Sequence, residues 1–297
     1  MMPIIKYRKI FLSLSVLFVV TALVLVWMYG VNPGTDFLGG TIYEVEYTGV
    51  RPDVIVLRAN LEKLNLGAIS AQPVGEGNLL IKTKTISQTE KQAIEAVISD
   101  DGKNPVIEKR FSSIGPAVGQ ELARKGIMAI ALVMIVIILF IALAFNKVSY
   151  VVSSWKYGVV TIIALFHDVI IASGVAAYLG HFGTFEADAL FLTALLTIMA
   201  LSVNDTIVIF DRIRENVKNR IGRDFEETVG ISLSQSFVRS INTSLTVILT
   251  LVALYLFGAD STKNFALIMV IGMFFGTYSS IFVASPLLVI WEKWGKK

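Results

Sequence analysis

Residues 126–145 read GIMAIALVMIVIILFIALAF, twenty positions without a charge or a proline. A hydrocarbon core about 30 Å thick takes about 20 consecutive apolar residues in a helix, so this stretch is long enough and apolar enough to cross a bilayer. Working outward from it, five further runs qualify: Ile10–Gly30, Tyr157–Tyr178, Ala189–Phe210, Ser240–Phe257 and Asn264–Ile290, the last long enough to tilt or bend. Six spans explain the composition. The chain has 297 residues, 55% hydrophobic and 16% charged, with a mean hydropathy of +0.70, whereas a soluble domain carries roughly 25% charged residues. The net charge of +3 is small and dispersed, which argues against nucleic acid as a partner, and the absence of cysteine excludes a disulfide framework.

Lys6, Arg8 and Lys9 ahead of the first run could open a signal peptide. The run is longer than a signal core of 7–15 residues, and Trp27, Met28 and Tyr29 occupy the place where small residues would allow cleavage. It is expected to be an anchor helix. Basic residues then set the orientation. Lys6, Arg8, Lys9, Lys147, Lys156, Arg212, Arg214, Lys218, Arg220, Arg223, Arg239, Lys293, Lys296 and Lys297 all fall on one side, while the short loops near 179–188 and 258–263 hold only Lys263. The positive-inside rule puts both termini in the cytoplasm of a multi-pass protein. Arg124 and Lys125, against a span on the outer side, do not fit that bias.

Three regions follow: 1–30, the cytoplasmic N-terminus and first span; 31–125, an extracytoplasmic domain; and 126–297, spans two to six with a cytoplasmic loop at about 211–239. Residues 31–125 hold 12 of the 23 acidic residues, which marks them as a soluble insertion. Within them, Gly40–Tyr47 reads as a strand and Asp53–Leu64 as a helix. Ala68–Val74 and Asn78–Thr83 read as strands around Gly75-Glu76-Gly77, Thr89–Ile98 as a helix and Val106–Phe111 as a strand. The order β-α-β-β-α-β predicts an α+β, ferredoxin-like domain. No catalytic residue types cluster in it, so it reads as a binding or moving part or as a spacer.

A charged side chain at mid-span costs about 2.5–3.5 kcal/mol, so ionisable residues inside the membrane are candidates for function. His167 and Asp168 lie mid-way along the third span, with Thr161, Ala164 and Ala172 on the Asp168 face. That small-residue stripe predicts close helix packing and leaves both a structural and a proton-relay role open for the pair. The fourth span carries Asn204 and Asp205, with Thr193 and Thr197 leading down to them. In the fifth, Arg239, Asn242, Thr243, Thr246 and Thr250 fall at i, i+3, i+4, i+7 and i+11, a hydrophilic stripe that should face a protein interior. If the fourth and fifth helices are neighbours, Asp205 and Arg239 are in range to pair. A proton competing with Arg239 for the carboxylate would then change the pairing, and a static ion pair is the alternative. Gly272 and Gly276 form G-x-x-x-G, followed by Ser279 and Ser280, which reads as a packing face.

No phosphate-binding loop is present, and His167 and His181 have no ligand partner at metal spacing, so neither enzyme activity nor a cofactor is expected. Asn242-Thr243-Ser244 matches a glycosylation pattern by chance, since it lies in a span.

One span, a large insertion and five further spans is the layout of one half of an RND-type transporter. Asp36-Phe37-Leu38-Gly39-Gly40, Gly115-Pro116-Ala117-Val118-Gly119, His167-Asp168, Ser202-Val203-Asn204-Asp205-Thr206, Asp211-Arg212-Ile213-Arg214-Glu215-Asn216 and Arg239-Ser240-Ile241-Asn242-Thr243-Ser244 resemble, in order, the SecF branch of the SecD/SecF protein-export family. The resemblance covers essentially the whole chain. It implies a twelve-helix complex with SecD, associated with the SecYEG channel and with YajC and YidC. Such a complex uses the proton-motive force to draw preproteins outward after SecA has inserted them. It also implies a bacterial inner-membrane location, Asp205 as proton carrier and Arg239 as its partner, with Asn204 and Thr243 as helpers. Half of a small-molecule exporter and a non-transporting scaffold are the competing readings.

Overall fold

The structure, a computed structural model, describes residues 3–67, 69–75, 77–144, 153–183 and 185–294. Ala68, Glu76, Phe145, Lys147, Lys296 and Lys297, used in the sequence reading, lie outside the described residues. The chain divides into two compact units, Pro33–Ile127 and Met1–Asn32 with Met128–Lys297.

The smaller unit holds α3 (Thr35–Leu38), β1 (Gly40–Tyr47), α4 (Val54–Glu62), β2 (Ser70–Val74), β3 (Asn78–Thr83), α5 (Gln88–Ile98), β4 (Val106–Ile114) and the start of α6 (Pro116–Ala144). The strands form one antiparallel sheet in the order β2-β3-β1-β4. In β1 the period of two separates buried Thr41, Tyr43, Val45 and Tyr47 from half-exposed Ile42, Glu44 and Glu46. The buried set meets Leu57 and Leu61 of α4 and Ile94 and Ile98 of α5, each pair spaced by four so that both residues share a helix face. Burial pushes the Tyr43 phenol up to about 12, helped by Glu95 and Glu108, and does the same to Tyr47. β4 runs three residues beyond Phe111, because β1 pairs with it as far as Ile114 across a bulge at Glu44/Val45.

The helices α4 and α5 begin on side-chain caps. The Asp53 carboxylate accepts from the Ile55 amide at 2.8 Å. Ser87 and Glu90 form a reciprocal capping box, the Ser87 amide donating to Glu90 at 2.7 Å. That bond holds the exposed Glu90 carboxyl below its usual range, with the Ser87 hydroxyl adding to the effect. A depressed carboxyl stabilises the fold above its unfolded pKa and loses that contribution as the pH falls through the folded value. Ser87→Ala keeps the amide bond but removes the hydroxyl that caps the Glu90 amide and supports its carboxyl, and is expected to lower stability by about 1 kcal/mol at neutral pH. The gap between variant and parent should narrow below about pH 4 in urea titrations.

Two glycine motifs of the sequence meet in this unit. A Cβ on Gly39, whose φ is +80°, would lie 2.7 Å from Pro116 Cα, and one on Gly119 would lie 2.7 Å from the Phe37 carbonyl oxygen. Asp36–Gly40 and Gly115–Gly119 thus need glycine because the two backbones touch.

The larger unit contains α1 (Pro3–Lys6), α2 (Arg8–Tyr29), the rest of α6, α7 (Ser154–His181), α8 (Ala189–Lys218), α9 (Phe225–Phe257), α10 (Asp260–Ser279) and α11 (Ser285–Trp294). Among the described residues, six helical stretches are long and apolar enough to cross a membrane: Arg8–Tyr29, Pro116–Ala144, Trp155–His181, Ala189–Lys218, Phe225–Phe257 and Ser261–Trp294. α2 packs along α7, and α10 lies against α7, α8 and α9. The expected stripe on α7 is buried, with Thr161, Ala164, Asp168 and Ala172 each at most 1% exposed. Gly272 and Gly276 do form a packing face: a Cβ on Gly272 would lie 2.1 Å from the Ile198 side chain, and one on Gly276 3.0 Å from Ser202 Cβ. The bend foreseen in the last span is a π-helical turn at Ser280–Ala284. Pro286 follows it, and a proline ring clashes with the carbonyl four residues back, which a wider turn relieves.

One expectation is corrected. Residues 211–239 are not a loop, for α8 runs to Lys218 and α9 starts at Phe225, leaving only Asn219–Asp224 between them. Ile213, Phe225, Val229 and Leu233 of these extensions are buried in the core. The charges that gave the stretch a loop-like composition pair along the outside, Arg214 with Asp211 at 2.8 Å and Arg212 with Glu215 at 2.6 Å. Asp224 caps α9 by accepting from the Glu227 amide at 2.7 Å.

Candidate functional site

Two carboxylates lie inside the helix bundle, each held by hydroxyl groups. Asp168 of α7 is fully buried. Its Oδ2 accepts from Ser202 of α8 at 2.5 Å and from Ser279 of α10 at 2.9 Å, and its Oδ1 lies 2.9 Å from His167 Nδ1. Asp205 of α8, 5% exposed, accepts from Ser244 of α9 at 2.9 Å, and Ser244 in turn accepts from Thr277 of α10 at 2.6 Å. A third contact, Thr206 with Ser280 at 2.8 Å, ties α8 to the π-helical turn that follows α10.

α8 and α10 therefore serve both acids. Ser202 stands three residues before Asp205, and Thr277 two before Ser279. Small residues on α10 make the approach possible, since Gly276 lets its backbone come down on Ser202. A carboxylate buried in an apolar bundle needs hydrogen-bond donors around it, and here hydroxyl groups from the neighbouring helices supply them. Among the described residues, no Lys or Arg makes an ion pair with either acid, and no group of three or more His, Asp or Glu could hold a metal ion.

The residues singled out in the sequence separate into an inner and an outer set. His167, Asp168 and Asp205 point inward. Asn204, Arg239 and Thr243 are exposed on the outside of the bundle. α8 and α9 are neighbours as the pairing required, but consecutive helical residues point about 100° apart. Asp205 and Ser244 share the buried seam, which turns Asn204 and Arg239 away from it. The stripe of Asn242, Thr243, Thr246 and Thr250 is likewise exposed and does not face this chain's own interior. Its threonines satisfy themselves, each hydroxyl donating to the carbonyl four residues back at 2.8–3.0 Å.

The inward stripe of α9 is Thr228, Ser232, Ser236, Ser240 and Ser244, all buried and spaced by four. It was readable as a second hydroxyl face, and the stronger Arg–Asn–Thr stripe masked it. At its start, Asn216 of α8 donates to Ser232 and to Gln235 at 2.8 Å. Glu226, in the first turn of α9, joins Arg8 at 2.5 Å and also Lys293, so one carboxylate ties α2, α9 and α11.

The profile of "Protein export membrane protein SecD/SecF, C-terminal" matches residues 93–294, which contain both acids and all four of the helices that hold them. The chain belongs to the SecD/SecF family. It is 42% identical to protein translocase subunit SecF of Thermobaculum terrenum, with 98% of this chain and 94% of that one aligned. To the SecF of Anaerolinea thermophila it is 37% identical, over 98% and 94%. A crystal structure of SecDF, a translocon-associated membrane protein from Thermus thermophilus, superposes with a TM-score of 0.81 at 32% identity. It covers 97% of this chain and 38% of that longer one. In SecD/SecF terms, the chain corresponds to the SecF relatives over nearly their whole length.

Proposed function

We propose that this chain is the SecF-type subunit of the protein translocase, working with a SecD subunit to convert the proton-motive force into export of preproteins. Asp205 is the proton carrier in this reading. The observation that carries it is a carboxylate buried among hydroxyls, one helical position from an uncovered polar face made by Asn204, Arg239, Asn242 and Thr243. A SecD half, supplying the other six spans, covers that face. Arg239 then meets acidic groups at the joint between the halves, and a change of helix pairing there brings it towards Asp205. SecYEG receives the complex, YajC and YidC accompany it, and SecA acts before it.

The smaller unit, residues 31–125, is read as a ferredoxin-like β-α-β-β-α-β domain on the extracytoplasmic side. Residues 1–30 and 126–297 span the bacterial inner membrane, with both termini and the turn between α8 and α9 in the cytoplasm. The energetics allow the coupling. One charge crossing 100 mV releases about 2.3 kcal/mol, roughly a fiftyfold bias on a two-state equilibrium.

The test is preprotein translocation into vesicles holding the channel, a SecD subunit and this chain, with and without a proton gradient. The gradient is expected to raise the yield only when both subunits are present. A gradient effect of the same size without this chain would refute the proposal. Drug resistance with unchanged secretion would favour a small-molecule exporter instead.

A further inference from the structure

Thr277 and Ser279 stand two residues apart on α10, which at about 100° per residue sets them on nearly opposite sides of the helix. One side faces α7, where the Ser279 hydroxyl donates to Asp168 at 2.9 Å. The other faces α9, where Thr277 donates to Ser244 at 2.6 Å and Ser244 donates to Asp205 at 2.9 Å. α10 is thus a bar between the two acids. Among the described residues, Asp168 makes no hydrogen bond to Thr277, Ser244 or Asp205, so any influence of one acid on the other passes through a helix.

Three hydroxyls in this series each have two acceptors at similar distances and one proton to give. For Ser279 the acceptors are Asp168 at 2.9 Å and the Gly276 carbonyl at 3.0 Å. For Thr277 they are Ser244 at 2.6 Å and the Met273 carbonyl at 2.9 Å. For Ser244 they are Asp205 and the Ser240 carbonyl, both at 2.9 Å. A hydroxyl released from the acid side drops back onto its own helix and keeps a partner, so little energy separates the two settings. A small turn of α10 tips the choice, because hydrogen bonds weaken steeply as they bend. Such a turn has a seat in the chain. The π-helical turn Ser280–Ala284 begins one residue after Ser279, and its wider winding separates α10 from α11. The Ser285 hydroxyl follows the same five-residue spacing, donating to the Ser280 carbonyl at 3.3 Å. Asp168 itself is firmly seated, with Ser202 of α8 donating at 2.5 Å and His167 Nδ1 at 2.9 Å from its other oxygen.

We propose that Asp168 is a positioning residue for Asp205 and acts through α10. By gripping Ser279 and Ser202 on one carboxyl oxygen, it sets the rotation of α10 against α8 that keeps Thr277 on Ser244 and Ser244 on Asp205. When that grip is lost, α10 turns at the π-helical turn, Thr277 returns to the Met273 carbonyl, and Ser244 loses the donor behind its bond to Asp205. The functional consequence rests on the reading of Asp205 as proton carrier; the link between the two acids rests on the geometry alone.

The link is read by solid-state NMR on the full chain in phosphatidylglycerol nanodiscs, with ¹³C at the aspartate carboxyl carbons. Asp205→Asn identifies the Asp205 signal by deleting it. Ser279→Ala removes one hydroxyl that does not touch Asp205, and it is expected to displace that signal. Thr193→Ala removes a hydroxyl bonded to its own helix on the outside of α8 and should leave the signal in place. Asp168→Asn keeps the size of the side chain and serves if Ser279→Ala fails to fold. It should also displace the Asp205 signal, and in its background Ser279→Ala should add little, since residues of one network do not act additively. In translocation with a SecD subunit, Ser279→Ala should cut the gradient-dependent yield about fivefold, the weight of one net hydrogen bond. An Asp205 signal indifferent to both changes, displacements that add in the double variant, or an equal displacement by Thr193→Ala would overturn the proposal. If the signal moves as expected while Asp205→Asn keeps its full gradient stimulation, the link between the acids stands and the carrier assignment falls.

Discussion

Asp205→Asn is expected to leave the subunit folded and assembled while abolishing the part of preprotein export that depends on the proton gradient. The amide matches the carboxylate in size, and its oxygen can keep the bond from Ser244, which now spans 2.9 Å. The packing of α8 against α9 and α10 therefore survives. What the amide lacks is an exchangeable acid proton, so the two charge states of this seam collapse into one. The ceiling on the loss is the bias one charge can supply, roughly fiftyfold at 100 mV. Ser244→Ala should give a milder defect of the same kind, because it removes the hydroxyl that donates to the carboxylate and breaks its link to Thr277. The measurement is translocation into vesicles with and without a gradient, alongside co-purification with the SecD subunit. Equal stimulation of parent and variant would exclude Asp205 as the carrier. That result is the one the scaffold reading predicts, whereas loss of co-purification would assign Asp205 to assembly.

The six spans and the antiparallel sheet were legible because each rests on a short-range pattern. Twenty apolar residues in Gly126–Phe145 or the alternation through Gly40–Tyr47 need no knowledge of the rest of the chain. The helical extensions of α8 and α9 were hidden for the opposite reason. Arg212, Arg214, Glu215 and Arg223 read as solvent-loving loop, although Ile213 lies among them and Val229 and Leu233 follow at core spacing. The acids themselves were found from their cost in a membrane, but their partners were not. Ser202, Ser244, Thr277 and Ser279 are small hydroxyls that a span tolerates anywhere, and only the assembled bundle brings four helices together at Asp168 and Asp205. Arg239 illustrates the limit of helical periodicity. Its spacing to Asn242, Thr243, Thr246 and Thr250 correctly defined one face, but periodicity carries no information on which neighbour that face meets. The inward serine stripe, offset by one residue, was the face this chain's own core uses.

Gly174→Leu is expected to be the most disruptive single change in the helix bundle. A Cβ at this position would lie 2.6 Å from both Cα and Cβ of Ala22 and 3.0 Å from its carbonyl oxygen, so the obstacle is backbone and cannot swing aside. Nor can α2 slide away. Its C-terminal continuation is held by Asn32, which donates to the Gly180 carbonyl at 3.0 Å and accepts from the Ala187 amide at 2.8 Å. Its other end is fixed by the Arg8–Glu226 pair. With both ends tied, the crossing of α2 and α7 has to open in the middle, where it also forms a cavity beside His167. Overpacking of this kind costs about 1–3 kcal/mol and more where relaxation is blocked, so Gly174→Leu should lie at or above that range. Gly174→Ala should be smaller in size and equal in sign, because the Cβ alone already makes the clash. The absence of native cysteine makes the consequence measurable directly. Cysteines introduced into facing positions of α2 and α7 should cross-link readily in the parent and poorly in the leucine variant, with a lowered thermal midpoint in detergent. Unchanged cross-linking with an unchanged midpoint would mean that the two helices do not cross at Gly174 and Ala22.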